Sequence, residues 1–531
     1  MSRRLTVVAR PAPATRRLAR STVLVMAVTL ASTSLGFARE VVFAKFFGAS
    51  WQLDSYLAAA VVPTILFGVF NGALVSALVP IFSDYLATDR EAEAWRLGWT
   101  LIVGVTVTLT VAAALGSWLA PAYVPLFWRF HGEQLQTTIE MTRWLMPSIV
   151  ATSLSGIIAA MLNAHQRFAA AALQGVALNV VVISIVVAGF GRYGVMALVA
   201  GTLAGYFAQV AVQVPALIAA GGFHPVVDLN HPGLRRLTEV LGPIAIGSAA
   251  GQLALFFDRL FASGLSEGSI SGMNYAVKVV GFPQQIFVTA IATVIFPIFA
   301  SQFARRNRVA MRRSIATGLQ MVVFLTLPSA LELIVLAGPI VRTLFERGAF
   351  SPEATVLCAS LLPYAAAGLV ALAANVILTR CIFACGEVAQ PIAMSVLSVV
   401  LNVVLSLLWL PSLGARGLLL ANAVSQTLQT VALGVIAWRL LGGFNVVAIV
   451  RSFLKVFGCS AIMVAALVAV QSFEPPITGG DLARIVSLGE HLAFGAAIFL
   501  ALARLFDSDE VHLAIALLLR RERPRDLIPL G

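Results

Sequence analysis

The residues best suited to chemistry lie in the stretch Ser32–Asp54, STSLGFAREVVFAKFFGASWQLD. Arg39 and Glu40 stand side by side at the end of a long apolar run, ahead of a Gly-Ala turn and Asp54. An ionised side chain at mid-membrane costs roughly 2.5–3.5 kcal/mol on insertion scales, so such residues face protein or water rather than lipid. At helical spacing Ser32, Gly36, Arg39 and Phe43 share one face, a narrow small-and-polar stripe ending in a cation. Two readings are open: an arginine snorkelling at a helix end beside its counter-ion, or an anion site facing a cavity.

Two later apolar runs carry the same kind of stripe. In one, Ser248, Gln252 and Arg259 share a face and Asp258 adjoins Arg259; in the next, Asn274, Lys278, Gly281 and Gln285 recur at steps of four, three and four. Arg39, Arg259 and Lys278 are three cations suited to phosphate or another anionic group. The competing reading pairs each with an acid (Glu40, Asp258, or Glu332 in a third run) and leaves it a purely structural role. No nucleophile–base set accompanies them, and His131, His165, His224, His231, His491 and His512 are scattered. An enzyme is therefore not expected. Cys358, Cys381, Cys385 and Cys459 lie in or beside apolar segments and read as packing thiols; no metal set and no cofactor are expected. No nucleotide-binding lysine motif is present, so ATP is not the expected energy source.

The elements that must position these residues follow from composition. The 531 residues are 59% apolar and 11% charged, against about 25% charged in ordinary soluble domains. Apolar runs of about 20 residues recur along the chain, which predicts an all-α polytopic membrane protein. Alternating β-barrel segments are absent. Fourteen transmembrane helices are expected, near 22–46, 56–83, 97–120, 141–162, 168–190, 194–219, 238–263, 272–303, 314–337, 354–380, 390–410, 415–440, 449–471 and 484–506, with an outer loop over 121–140. The net charge of +12 comes from arginines spread over short loops, which argues against nucleic acid as a partner. With the basic tail 1–20 inside and the spans alternating, about 23 arginines fall on the inner side, against six outside at Arg129, Arg192, Arg342, Arg347, Arg416 and Arg484. Both termini are then cytoplasmic, and residues 508–531 read as an amphipathic helix on the inner surface.

The sequence also repeats. Leu178-Asn179-Val180-Val181 recurs as Leu401-Asn402-Val403-Val404, an offset of 402 − 179 = 223, and Gly194 and Gly417 keep that offset. VPIFSDYLATDR from Val79 resembles FPIFASQFARRN from Phe296, an offset of 217. Adding 220 to Arg39 gives Arg259. Six spans separate the copies, an even number, so the copies run in the same direction and predict a parallel pseudo-two-fold repeat of two six-helix lobes. The expected division is a tail (1–20), an N-lobe (21–222), a C-lobe (223–444), two extra spans (445–507) and a second tail (508–531). Lobes so related enclose a cleft and give alternating access by rocking.

LGFARE with FFGAS and Asp54, ALVPIFSDY, ASGLSEGSISGMNYAVKVVGFP (262–283), LFERGAF (344–350) and LTRCIFACGEVAQP (378–391) resemble the MviN/MurJ family of lipid II flippases, within the multidrug/oligosaccharidyl-lipid/polysaccharide exporter superfamily. The resemblance runs from about residue 20 to 506. It implies a carrier that moves an undecaprenyl-pyrophosphate-linked peptidoglycan precursor from the inner to the outer leaflet of the bacterial inner membrane. A cationic cavity would take the head group, and a groove lined by the two extra spans would take the lipid tail. Arg39 and Glu40 match the family's first-span motif, Asp54 the aspartate after the first loop, and Lys278 stands where the family has arginine. Thr33 and Gly68 stand where the family usually has arginine, and Asn71-Gly72-Ala73 replaces a Glu-Gly-Ala motif. Substrate binding is thus assigned to Arg39, Lys278, Arg259, Asn274 and Gln252, and support or gating to Glu40, Asp54, Asp258 and Glu332. Membrane potential or a coupling ion would supply energy, and cell-wall synthesis enzymes are candidate partners. Alternatives are a flippase for another lipid-linked polysaccharide unit, an ion-coupled multidrug antiporter and a non-transporting membrane scaffold.

Overall fold

A computed structural model describes residues 13–221, 226–473 and 480–506. The basic tail up to residue 12, His224 and the amphipathic segment 508–531 lie outside the described residues, as do the side chains of Ser248 and Asn71.

Every regular element among the described residues is a helix. In order they are α1 (Pro13–Phe47), α2 (Trp51–Ala59), α3 (Val61–Ala87), α4 (Glu91–Phe127), α5 (Gly132–Leu145), α6 (Ser148–Ala164), α7 (Phe168–Tyr193), α8 (Met196–Ile218) and α9 (Pro232–Ala262). There follow α10 (Ser269–Ala304), α11 (Arg308–Val335), α12 (Ala337–Phe345), α13 (Pro352–Ala367), α14 (Leu369–Ala384), α15 (Ala389–Leu413), α16 (Ala415–Leu441), α17 (Val446–Phe473) and α18 (Asp481–Leu505). Each predicted span falls on one helix or on a broken pair, and eleven stretches among the described residues are long and apolar enough to cross a membrane. The breaks have local causes. Pro63 follows the α2–α3 junction and Pro147 lies at the α5–α6 junction; each removes a backbone donor and crowds the turn before it. The α13–α14 break falls at Gly368.

The expected outer loop 121–140 is mostly helix. Helix α4 runs through Pro121 and Pro125 to Phe127, and α5 starts at Gly132. The polar run in α5 is one wet face of an amphipathic helix; Thr138, Ile139, Met141, Thr142 and Leu145 form its buried face.

The chain divides into two compact units, one comprising Met1–Val42, Ala59–Leu126 and His131–Ala249, the other Phe43–Ala58, Phe127–Phe130 and Ala250–Gly531. In the first, Phe82, Trp95, Leu97 and Met161 centre the core. In the second, one cluster gathers around Phe299, Ile315, Ile377 and Leu433, and another joins α11 to α17 and α18 through Phe324, Met463 and Phe499. Large apolar side chains such as Trp118, 74% exposed, and Leu408, 65% exposed, point outward. This is the pattern of a surface solvated by lipid tails, where helix association depends on close packing and not on water exclusion. Small residues accordingly sit at the contacts: a Cβ on Gly201 would lie 3.3 Å from the Val182 carbonyl oxygen in the α7–α8 pair, and one on Gly417 would lie 2.8 Å from the Trp409 carbonyl in α15–α16.

Backbone turns repeat as the sequence does. Asp89 and Arg306, 217 apart, are both left-handed at φ 55° and 54°, and each follows a helix closed by the same pattern, Arg90 N–H to Tyr85 O and Asn307 N–H to Gln302 O. Gly48 and Gly268, 220 apart, both have positive φ. The glycine assigned to Gly194 needs correction. Gly194 (φ 53°, ψ −133°) is matched in conformation by Gly414 (φ 56°, ψ −134°), whereas Gly417 lies inside α16. The segment between asparagine and cap is three residues shorter in the second copy, so the offset falls from 223 to 220. Three residues are nearly one helical turn, so the asparagine face is kept.

Candidate functional site

In the first unit, Arg39 reaches Glu40 at 3.0 Å, with Glu40 buried and Arg39 partly exposed. The small stripe before it is a packing surface. Ser32 and Gly36 lie against Gly175 and Asn179 of α7, and Asn179 Nδ2 donates to the Ser32 carbonyl at 3.2 Å. The stripe thus sets how closely α1 and α7 approach, and Arg39 stands one turn beyond that contact.

In the second unit, three signature stretches, distant in sequence, meet in one knot. Asp54 on α2 is buried and its carboxylate accepts from the N–H groups of Gly268 (2.8 Å) and Ser271 (2.7 Å), at the start of α10. Glu267 answers by accepting from the Trp51 N–H at 3.0 Å, at the start of α2. Each helix thus receives a carboxylate at its positive end, where exposed N–H groups and the helix dipole favour an anion. The RGAF turn closes the third side. Gly48 and Gly348 both have positive φ, Gly348 packs against the Lys45 carbonyl, and the Ala349 N–H donates to that carbonyl at 2.8 Å. Tyr275 packs against Phe345 (ring centroids 4.8 Å apart, tilted) and Phe350 (5.5 Å, edge-to-face), and its hydroxyl donates to the Gly48 carbonyl at 3.1 Å.

Beside this knot, within the same unit, α9, α10, the α13–α14 break and α16 enclose a cavity of about 340 Å³. Its polar lining is Asp258, Arg259, Asn274, Gln284, Asn422 and Gln426; the remainder is apolar or small. The Arg259 guanidinium donates to the Leu57 carbonyl. The side chains of Asn402 and Asn422 lie near enough to the Asp258 carboxylate to act on its charge, and Ser406 Oγ donates to Asn402 Oδ1 at 2.9 Å. Adjacent in sequence, Asp258 and Arg259 thus lean on different helices: the acid on α15 and α16, the base on the end of α2. Gly368, at the break between α13 and α14, lets the chain pass close to α16; a Cβ there would lie 3.2 Å from Ala423 Cα.

The sequence-predicted residues are distributed as follows. Asn274, Arg259 and Asp258 line the cavity together. Gln252 is half-buried next to the lining residue Gly251 but is not itself in the lining. Lys278 is exposed and outside the lining; on α10 the lining residue is Gln284 and not Gln285. Glu332 lies elsewhere: its carboxyl sits over Gly495 of α18, the one residue type that leaves room for it. It is not placed as a counter-ion for Lys278. Asn422 and Gln426 were missed, although with Gln429 they form a polar stripe at steps of four and three within an apolar run, the same signal that singled out Asn274. Asn402 was noticed only as a repeat marker; its contact with Asp258 needs the fold.

These features define a polytopic, all-helical membrane protein of transporter type, with an internal repeat and a polar cavity set inside one helical unit. Residues 43–486 match the profile of the lipid II flippase MurJ family. The chain is 30% identical over 500 residues to a probable lipid II flippase MurJ of Rhizobium meliloti, covering 90% of this chain and 91% of that one. It is 28% identical over 436 residues to a lipid II flippase MurJ of Burkholderia cenocepacia, covering 78% and 83%. Among solved structures, a lipid II flippase MurJ in an inward closed conformation superposes with a TM-score of 0.78 at 22% identity, covering 92% of this chain and 99% of that one. The chain belongs to the lipid II flippase MurJ family.

Proposed function

We propose that this chain is a flippase of the bacterial inner membrane that moves lipid II, an anionic lipid-linked peptidoglycan precursor, from the inner to the outer leaflet by alternating access. It acts as a transporter and not as an enzyme. The observation that carries this reading is the family match across residues 43–486, within which Asp258, Arg259 and Asn274 line one polar cavity. Moving a pyrophosphate through hydrocarbon unaided is prohibitive, since each unpaired charge costs several kcal/mol or more. A guanidinium presents donors in a fork that fits phosphate oxygens, so Arg39 and Arg259 take the phosphates and Lys278 adds a point charge. Asn274 and Gln252 supply neutral hydrogen bonds to the sugar or peptide. Glu40 holds Arg39, Asp54 fixes the start of α10, Asp258 orders the wall opposite Arg259, and Glu332 acts at the α11–α18 contact.

In this reading the repeat units are lobes 21–222 and 223–444, supported by the matched turns at Asp89 and Arg306. Both termini are cytoplasmic, supported by the arginine asymmetry. Outward movement of negative charge is favoured by an inside-negative potential by roughly 2.3 kcal/mol per charge per 100 mV, and a coupling ion is the other available source. Cell-wall synthesis enzymes are the proposed protein partners.

Thr33 and Gly68, at positions where the family usually has arginine, favour one second reading: a flippase for another lipid-linked polysaccharide unit. Depleting the resident lipid II flippase of a bacterium while expressing this chain separates the two. Restored growth, with lipid II reaching the outer leaflet, supports the first. Failure of a protein shown to be inserted, with a different lipid-linked glycan accumulating when the native gene is deleted, supports the second.

A further inference from the structure

One carboxyl in the second unit stands apart from the cavity. Glu332 is partly buried in the last turn of α11, and its Oε1 is shut off from solvent with no hydrogen-bond partner among the described residues. That oxygen packs against Gly495, near the middle of α18, in the space a Cβ would fill; Leu467 Cδ1 of α17 would lie 3.2 Å from the same Cβ. Leu467 belongs to the apolar cluster that holds Phe324, Met463 and Phe499. All three helices are long and apolar enough to cross a membrane.

The charged and titratable groups on the helices around it are engaged elsewhere. Arg342 of α12 pairs with Glu346 at 3.4 Å, and Arg484, at the start of α18, lies 3.7 Å from Glu346. Cys358 of α13 turns its sulfur to the Gly272 carbonyl, and Cys381 of α14 packs against Ile315, far back along α11. Cys459 of α17 lies about two turns before Leu467. The titratable neighbour in register is His491, buried on the same face of α18 and one turn from Gly495 toward the helix start. Its Nδ1 lies 2.7 Å from the Ser487 carbonyl. A carbonyl only accepts, so Nδ1 carries the hydrogen and Nε2 is the nitrogen left to exchange a proton.

We propose that Glu332 is a proton-binding site: its carboxyl holds a proton while α18 is seated on α11 and gives it up when α18 lifts and water reaches the oxygen. A carboxylate enclosed among apolar side chains without a donor is strongly disfavoured, and the neutral acid is not. The backbone sharpens this preference, because the last turn of a helix ends in carbonyls whose partial negative charge repels an anion. The ligand is a proton and nothing larger, since the carboxyl oxygen itself fills the space over Gly495. His491 is placed to pass the proton toward the start of α18. Acid therefore closes the α11–α18 seam and alkali loosens it, on helices separate from those that line the cavity at Arg259.

The test uses the full chain reconstituted in lipid, followed by infrared difference spectroscopy through a pH titration. At neutral pH, where an exposed acid such as Glu353 is ionised, the wild type should keep the carbonyl stretch of a protonated carboxyl. Glu332→Gln should lose that band and leave the other carboxyl bands in place. Glu332→Asp keeps the acid on a shorter side chain and should shift the band without removing it. Spin labels at Val356 of α13 and Leu482 of α18, both exposed, report the seat of α18. Their separation should lengthen in alkaline medium in the wild type, and Glu332→Gln, neutral at every pH, should abolish that change. A spectrum identical in the wild type and Glu332→Gln, or a label separation that responds equally to pH in both, would overturn the proposal.

Discussion

At the scale of single residues, the same acid–base pattern is built in two ways. Arg39 is held directly by Glu40, while Arg259 and Asp258 are neighbours in sequence that lean on different helices. If Arg39 contributes phosphate donors, Arg39→Ala abolishes complementation while membrane insertion, measured by fractionation, is unchanged; an active Arg39→Ala protein would exclude the role. Arg39→Lys restores charge without the fork and should recover a minor part of the activity. Asp54 tests a structural role. Its carboxylate accepts two backbone N–H bonds, and charge-assisted hydrogen bonds contribute about 1.5–3 kcal/mol each. Asp54→Ala should therefore lower the melting temperature of the purified protein sharply. Asp54→Asn keeps an acceptor oxygen and should fall between that variant and the wild type.

At the scale of elements, the knot formed by the starts of α2 and α10 and the RGAF turn explains why three distant stretches carry such specific sequences. Residues 45–54, 264–275 and 345–350 fix one another through backbone contacts that tolerate no side chain at Gly48 and Gly348. Gly348→Ala would place a methyl group against the Lys45 carbonyl in a left-handed conformation, a cost of about 1–3 kcal/mol from backbone strain alone. Gly281→Ala, inside α10 and with an added Cβ that meets nothing within 4 Å, should not lower stability and serves as the control. Thermal unfolding in detergent, followed by loss of monodisperse protein, distinguishes them. The two extra helices are joined to the second unit on similar terms. Gly495 of α18 leaves room for the Glu332 carboxyl, so Gly495→Leu should displace α18 and expose Glu332 to a water-soluble carbodiimide.

At the scale of the whole molecule, alternating access predicts that the wall around Arg259 opens to water. An Arg259→Cys protein, with the native cysteines replaced, should react with a membrane-impermeant maleimide added from outside. Protection of that cysteine in a correctly inserted protein would favour a packed scaffold. The same labelling after depletion of the lipid-linked precursor should change in rate, because substrate shifts the balance of states only when it binds one of them better.

Composition, apolar run length and repeat spacing are local or one-dimensional properties, and the sequence by itself determined the membrane class, the all-helical fold, the repeated segments from Val79 and Phe296, and the two stripes that carry Arg259 and Asn274. Hydrocarbon leaves a spanning chain little choice but helix, so these features need no knowledge of partners. What only the tertiary structure decided depends on which helices touch. The stretch 121–140 reads as an outer loop, yet α4 continues through Pro121 and Pro125, and the buried face of the polar α5 is defined only by its neighbours. Lys278 and Asn274 lie on adjacent turns, and only the packing of α10 against α11, α13 and α14 puts one in the cavity wall and leaves the other outside it. Asp54 is legible as a supporting or gating acid after the first loop, and only the folded chain brings it to the first N–H groups of α10, more than two hundred residues away.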